Sequence, residues 1–418
     1  MFFDGSPVFF NAAMPSSPVA LIRPALLRDP NEEGRTSTTL ELFFDLVFVV
    51  TISAIAQQWH HAVTGGHLAH GVISLFEMVF GVWWAWMGFT WFANFFDPDD
   101  VPYRLMVLVQ LLASLGLASG IPYIFEHDDF RIVVGCYVVI RLVMAAQWFR
   151  AGRANPDLRP FCDRWAYGIL MVQIGWVLFG FGLRHLTPLE TIPFFLVGVT
   201  VELLVPAWAQ ALEGAPQAHS EHVEERYGLF TIIILGEMVL VASDAFNTAL
   251  SDHQHLATLM IGAISAGVLA FCLWWLYFGF LGEYDLSRTR TAFIWGYGHY
   301  FVYGTLTTIG GTLAALLEQV ASGDEKLGRT ATALTLTIPV AGFLAAIALL
   351  RKVSEWATCS RWLQAAAAVL VIGTAAGAAW GAMWTLLSVC VATAAFLASE
   401  IITKGKAAAR RRQNQGAA

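Results

Sequence analysis

Twelve times along this chain, an apolar run about long enough to cross a bilayer is closed by charge or by Pro and Gly. A hydrocarbon core of about 30 Å needs about 20 helical residues. Inside it each segment must satisfy its own backbone N–H and C=O groups, which leaves the α-helix for runs of this length. The runs lie near residues 41–59, 71–95, 104–125, 132–150, 165–183, 191–211, 228–248, 256–281, 292–319, 331–350, 362–380 and 382–402. The expected fold is all-α, a polytopic membrane helix bundle of about twelve transmembrane helices. The weakest boundary is the last, between Gly377 and Gly381. Of 418 residues, 57% are apolar and 13% charged, about half the charged share of a soluble domain.

Loop charge orients the bundle. The N-terminal side carries 19 Lys and Arg against 4 on the other, and Arg141 inside the fourth run completes the 24. Basic loops stay in the cytoplasm, so the expected location is the plasma (inner) membrane with both termini cytoplasmic. The first residues, MFFDGSPVFFNAAMPSSP, lack the basic start and apolar core of a signal peptide and read as a short tail. The basic end, Lys404, Lys406, Arg410, Arg411 and Arg412, reads as an anchor on an anionic leaflet.

Composition also excludes classes of function. The net charge of −7 is spread over loops and spans, so it implies no soluble partner, and nucleic acid is not an expected ligand. The expected partners are the lipid bilayer and a small cation or proton, with homo-oligomerisation left open. Cys136, Cys162, Cys272, Cys359 and Cys390 are scattered, which indicates neither a zinc site nor a disulfide framework. None of the four lysines, Lys326, Lys352, Lys404 and Lys406, lies mid-span, so no Schiff base is available. Walker A, HExxH and GxSxG motifs are absent, and no cofactor is implied.

The halves resemble each other. FFDLVFVV around Asp45 aligns with LGEMVLVA around Glu237, and WWAWMGF from Trp83 aligns with WWLYFGF from Trp274 at nearly the same offset. This predicts two parallel six-helix repeats related by an axis along the membrane normal. The units are a tail over 1–34, a first repeat over 35–211, a linker over 212–226, a second repeat over 227–402 and a basic tail over 403–418. The Trp clusters read as interfacial belts and helix packing. His60, His61, His67, His70, His253 and His255 read as solvated loop histidines.

Charge within a span costs about 2.5–3.5 kcal/mol on insertion scales, so an intramembrane acid is a functional candidate by default. Glu41 follows Thr38 by three, the arrangement of a capping box. Asp45 lies about 10 Å inside a helix beginning near Thr38, beyond the cap and too short to reach the headgroups. Glu237 sits near the middle of the seventh span with no basic residue at helical spacing, the setting of a proton-carrying group. Arg141 needs a counter-charge, for which Glu202, Asp45 and Glu237 are the candidates. Glu202 precedes Pro206 by four, where the missing N–H leaves a carbonyl free. His299 reads as a packing histidine or a proton relay, and Glu77, Asp244 and Glu318 as residues near the outer surface.

Two stretches carry a family resemblance. ELFFDLVFV over Glu41 to Val49, and HVEERYGLFTIIILGE with His222, Glu225, Arg226, Tyr227, Gly228, Leu229, Phe230, Gly236 and Glu237, look like the two signatures of the bacterial low-temperature-requirement A (LtrA) family of multi-pass membrane proteins. Glu202 with Pro206, Arg141 and His299 fall at positions typical of that family. The resemblance spans roughly residues 35 to 400, and Met238 departs from the small polar residue expected after GE. It implies a membrane location and places His222, Glu225 and Arg226 with the buried polar residues. The family is named for a growth phenotype and has no agreed biochemical activity. Two six-span halves with acidic first helices are also similar to the lysosomal-type potassium channels, at the level of fold alone.

The expected function is a channel or secondary transporter for a cation or proton, with Asp45, Glu237 and Glu202 lining a path between the repeats. The alternatives are a membrane-embedded enzyme acting on a lipid or isoprenoid group, with Glu237 or His299 as acid/base, and a receptor or scaffold with structural polar pairs. The transport reading requires the acids to converge on a wet crevice.

Overall fold

The computed structural model describes residues 21–416 apart from 184–185, 252–254, 282–285, 287, 324–325 and 353–355. The described residues form helices α1 (Thr39–Gly65), α2 (Leu68–Phe95), α3 (Val101–His127), α4 (Arg131–Ala154), α5 (Arg159–Val177), α6 (Pro188–Gln210), α7 (Ser220–Ser251), α8 (Leu256–Phe280), α9 (Thr289–Ser322), α10 (Arg329–Lys352), α11 (Trp356–Trp380) and α12 (Ala382–Gly416). Each contains a stretch long and apolar enough to cross a membrane. No strand occurs among the described residues. Residues 1–20, His253 and the Arg410 and Arg411 side chains, on which the expectations of a tail, a solvated loop and an anchor fall, lie outside the described residues.

Local chemistry sets the helix ends. Thr38 and Glu41 form the expected capping box, with Glu41 N–H donating to Thr38 Oγ1 at 3.3 Å and Thr38 N–H to Glu41 Oε2 at 2.8 Å. Asp100 caps α3 by accepting from Tyr103 N–H at 3.0 Å, with Pro102 in the first turn. The α11–α12 boundary falls on Gly381, whose φ of +93° is open to glycine at little cost.

Two helices outrun the expected spans: α12 continues to Gly416 rather than ending near 402, and α7 begins at Ser220 rather than near 228. For α7 the reason is tertiary: His222, Glu225 and Arg226, polar enough to read as a linker, find partners inside the protein.

Helices α2 and α9 form the centre, with 72% of their apolar windows buried against 28% for α6 and α11 at the periphery. Neighbour relations recur along the chain, since α1 packs on α2 and α3 as α7 packs on α8 and α9, and α3–α4–α5–α6 are chained as are α9–α10–α11–α12. The α1–α9 seam is the tightest join between the halves. A Cβ on Gly311 would lie 2.3 Å from Ala56 O, so only glycine permits this approach.

Contacts between turns define two faces. The first gathers residues 21–38, the α2–α3 turn, the end of α4 and the start of α7. There Arg28 pairs with Asp97 at 3.2 Å, Arg150 pairs with Asp100, and Arg35 donates to the last carbonyls of α2, Ala93 O and Asn94 O, at 2.8 Å each. The second gathers the α1–α2, α3–α4 and α9–α10 turns. His60 meets Glu318 there, and His70 meets Asp128 at 2.7 Å, so these two histidines are paired rather than merely solvated.

The two Trp clusters divide between the readings given for them: Trp83, Trp84 and Trp86 are packed in the core, whereas Trp274 and Trp275 on α8 are exposed. One expectation for a side chain needs correction. Glu77, read as near the outer surface, is buried with Oε1 lacking a hydrogen-bond partner.

Candidate functional site

Glu41 and Asp45 lie one turn apart on one face of α1, as do His222 and Arg226 on α7. Both helices start at the first face and run parallel, so the residues meet in register. Glu41 Oε1 lies 3.1 Å from His222 Nε2, and Arg226 Nη2 donates to Asp45 Oδ1 at 2.7 Å. Trp86 Nε1 donates to the same Asp45 oxygen at 2.7 Å. One residue earlier on α7, Glu225 Oε2 accepts from Ser37 N–H at 2.9 Å and ties down the segment entering α1.

The His222 tautomer follows from its neighbours. Asn94 Oδ1 accepts from His219 N–H at 3.0 Å while its Nδ2 donates to His219 O at 3.1 Å, which orients the amide. The same Nδ2 lies 3.1 Å from His222 Nδ1, which must therefore accept. The proton sits on Nε2, facing Glu41, so the contact is a neutral imidazole beside a carboxylate.

The second cluster is built around Arg141 and Glu202. Of the three acids considered as partners for Arg141, the structure selects Glu202, at 2.8 Å. The carboxylate is saturated. Trp84 Nε1 and Arg141 Nη2 donate to Oε2 at 2.8 Å each, and Tyr137 Oη, Trp176 Nε1 and Gln173 Nε2 donate to Oε1 at 2.8, 3.1 and 3.3 Å. Gly88 leaves room for the guanidinium, because a Cβ there would lie 2.7 Å from Arg141 Nη1. Beside the Pro206 break, Tyr297 Oη donates to Leu203 O at 3.0 Å.

Glu237 stands apart from both clusters. It is half-buried, accepts from Ser53 Oγ at 2.6 Å and faces Gly310 of α9. Ser53 is eight residues beyond Asp45, about 12 Å along α1. Between them Phe48, Ile52, Phe230 and Ile234 are fully buried, so the acids share the α1–α7 seam with an apolar stretch between. His299 is enclosed on α9. Its Nδ1 donates to Trp295 O at 2.7 Å, which leaves Nε2 to accept from Tyr277 Oη at 2.9 Å. The residues named from sequence thus fall into four groups rather than one.

The two buried ion pairs differ in how well they are satisfied. Asp45, Arg226 and Glu202 are all 0% exposed. Glu202 has five donors and its partner Arg141 has one buried atom, Nε, without a hydrogen-bond partner, whereas in the other pair Asp45 Oδ2, Arg226 Nε and Arg226 Nη1 all lack one. An under-satisfied buried pair is costly to hold and open to exchange. Among the described residues, no group of three or more His, Cys, Asp or Glu could hold a metal ion.

Several partners escaped the sequence reading. Trp84 and Trp86 read as aromatic bulk, yet each supplies one indole N–H to a buried acid. Arg226 fell in the linker by its polarity, and the family resemblance alone placed it with the buried polar residues. Glu400, buried midway along α12, contacts Arg361 at 3.2 Å and Trp362 Nε1 at 3.1 Å. An acid among apolar residues is the usable signal for Glu400, and a Trp on the face opposite an acid for the indoles.

The model of the family described as "Bacterial low temperature requirement A protein (LtrA)" matches residues 36–399. An uncharacterized protein of Rhizobium meliloti (strain 1021) is 24% identical over 302 residues, 69% of each chain. No solved structure matches. With both signatures inside the matched range and their acids paired across α1 and α7, the chain belongs to the LtrA family of bacterial membrane proteins.

Proposed function

We propose that the protein moves a proton or small cation along the α1–α7–α9 seam. Asp45 serves the first-face side and Glu237 the second-face side, with the apolar stretch between them as the barrier. The observation that carries this reading is the contrast between the two buried pairs. The Arg141–Glu202 pair leaves one buried polar atom, Arg141 Nε, without a partner, while the Asp45–Arg226 pair leaves three, Asp45 Oδ2 and two nitrogens of Arg226. A proton or cation arriving at Asp45 would compete with Arg226 for the carboxylate. Glu237 has no cation beside it in the described structure, and Ser53 can donate to it or accept from it. The recurring neighbour relations support a duplicated order of helices, while the different depths of Asp45 and Glu237 along the seam give the two acids different places in it. The basic loops support a cytoplasmic orientation for the first face.

The test is flux in proteoliposomes, with an internal pH dye and with alkali cations. Asp45→Asn and Glu237→Gln should each abolish flux, and the Glu237 variant should keep its thermal stability. Undiminished flux in both variants removes the seam from the mechanism. A second reading, an enzyme acting on a lipid or isoprenoid group, rests on Tyr277 donating to His299 at the wall of an open cleft of about 440 Å³. It predicts a changed lipid profile on His299→Gln with flux intact.

A further inference from the structure

A cleft of about 490 Å³ opens sideways between α2, α9 and α10, remote from the paired acids, with Trp59 of α1 at its base. Its size is that of a small-molecule site. Along α2 it runs from Leu68 to Val79, about 16 Å of helix rise, or half of a hydrocarbon core of about 30 Å. It therefore reaches from the second face to the bilayer midplane, the depth of one leaflet. The space exists because Gly304 and Gly342 present no side chain where the helices would otherwise close.

Its walls offer no free hydrogen-bonding side chain. Thr305 and Thr308 hydroxyls donate to Phe301 O and Gly304 O on their own helix, at 2.7 Å each. Thr335 Oγ1 donates to Thr332 O at 2.7 Å, Tyr300 Oη to Phe76 O at 3.0 Å and Trp59 Nε1 to Thr312 Oγ1 at 2.8 Å. What remains facing the cleft is methyl groups and rings. A polar ligand would lose its hydration without compensation here, whereas hydrocarbon would lose nothing. Val72, Phe76, Phe301 and Ile338 form exposed apolar lips, continuous with the outer surface that meets lipid.

We propose that this cleft is a binding site for one acyl chain of a glycerophospholipid from the leaflet on the second face. The bilayer is the medium already in contact with the lips, the depth equals one leaflet, and the wall chemistry selects hydrocarbon. The site is independent of the transport reading.

The experiment is photolabelling of the full-length protein in vesicles of phosphatidylethanolamine and phosphatidylglycerol, with phosphatidylethanolamine carrying a mid-chain diazirine as the probe. Labelled peptides should concentrate on 68–79, 300–308 and 331–342, in excess over Val371 and Ile372 of α11, which are simply exposed. Thr308→Phe, and separately Ala331→Phe, fill the cleft from different helices. Each should cut cleft labelling on the order of tenfold, the factor that about 1.4 kcal/mol of lost binding represents, and leave α11 labelling unchanged. Cleft labelling no greater than that of α11, or unchanged in both filled variants, overturns the proposal. So does stronger cleft labelling by a branched isoprenoid diazirine probe, which would assign the site to another lipid class. If both filled variants fail to fold, the wild-type distribution decides.

Discussion

Asp45 and Arg226 are 181 positions apart in the chain and 2.7 Å apart in space, buried together where α1 meets α7. Removing one member of such a pair strands the other charge, which costs about 3–5 kcal/mol, while replacing both by apolar residues of similar volume is often neutral. Asp45→Leu and Arg226→Met should therefore each lower the unfolding temperature in detergent strongly, and the double variant should regain most of the loss. Flux should stay absent in the double variant, because the exchangeable group is gone. A double variant as unstable as the worse single one would mean that the pair's value lies in the hydrogen bond from Trp86 to Asp45.

Gly88 tests the second cluster from the backbone side. A methyl at that position would meet Arg141 Nη1 at 2.7 Å, and the guanidinium cannot step aside without leaving Glu202. Gly88→Ala should cost about 1–3 kcal/mol through overpacking, partly offset by about 1 kcal/mol of helix propensity. Gly81, on the same helix, is the control, because a Cβ there would meet nothing within 4 Å. Gly81→Ala should be neutral or stabilising by thermal denaturation. Equal effects at the two sites would show that Arg141 has room to move.

Asp97, in the α2–α3 turn on the first face, gives the bundle a defined pH response. Burial pushes its carboxyl from 3.8 up to about 6, the Glu41 charge adds to the rise, and Arg28 only partly counters it. The folded state then binds the proton more tightly than the unfolded chain. This contribution to stability is greatest below the unfolded value and is lost as pH rises from about 4 to about 6. Asp97→Asn should raise the unfolding temperature at neutral pH, and the gain should shrink towards zero as the solution is acidified to about pH 4. A gain that does not vary with pH would assign the effect to packing instead.

The spans were legible because each apolar run is long and closed by charge or Gly, and even the weak α11–α12 boundary fell on Gly381. The site was legible only residue by residue. Asp45, Glu202 and Glu237 stand out as acids in oil, but hydropathy does not say who faces them. Composition alone hid Arg226 in SEHVEERY, whose polarity reads as linker, so that only the family signature placed it with the buried polar residues, and neither named Asp45 as its partner. Trp84 and Trp86 were hidden because a hydropathy scale counts the ring and not its single donor. The distance between Asp45 and Glu237 was illegible because the likeness of FFDLVFVV to LGEMVLVA implies one depth for both acids, whereas the early start of α7 brings Arg226, not Glu237, level with Asp45.

The last relationship is a relay that links α1, α9 and α10 behind the lipid-facing cleft. Pro339 has no N–H, so the carbonyl four residues earlier, Thr335 O, loses its helical partner. Thr312 Oγ1 donates to that carbonyl at 3.0 Å and itself accepts from Trp59 Nε1 at 2.8 Å. Thr312→Val keeps the shape but leaves both the carbonyl and the indole N–H unpaired, which should cost about 1–3 kcal/mol for each group stranded. Pro339→Ala restores an N–H that can reach Thr335 O along the helix. The same Thr312→Val change should then be cheaper in the Pro339→Ala background, with a coupling of about 0.5–3 kcal/mol in a double-mutant cycle read by unfolding in detergent. Strict additivity would show that the hydroxyl is present for Trp59 alone, and that the break at Pro339 is satisfied in another way.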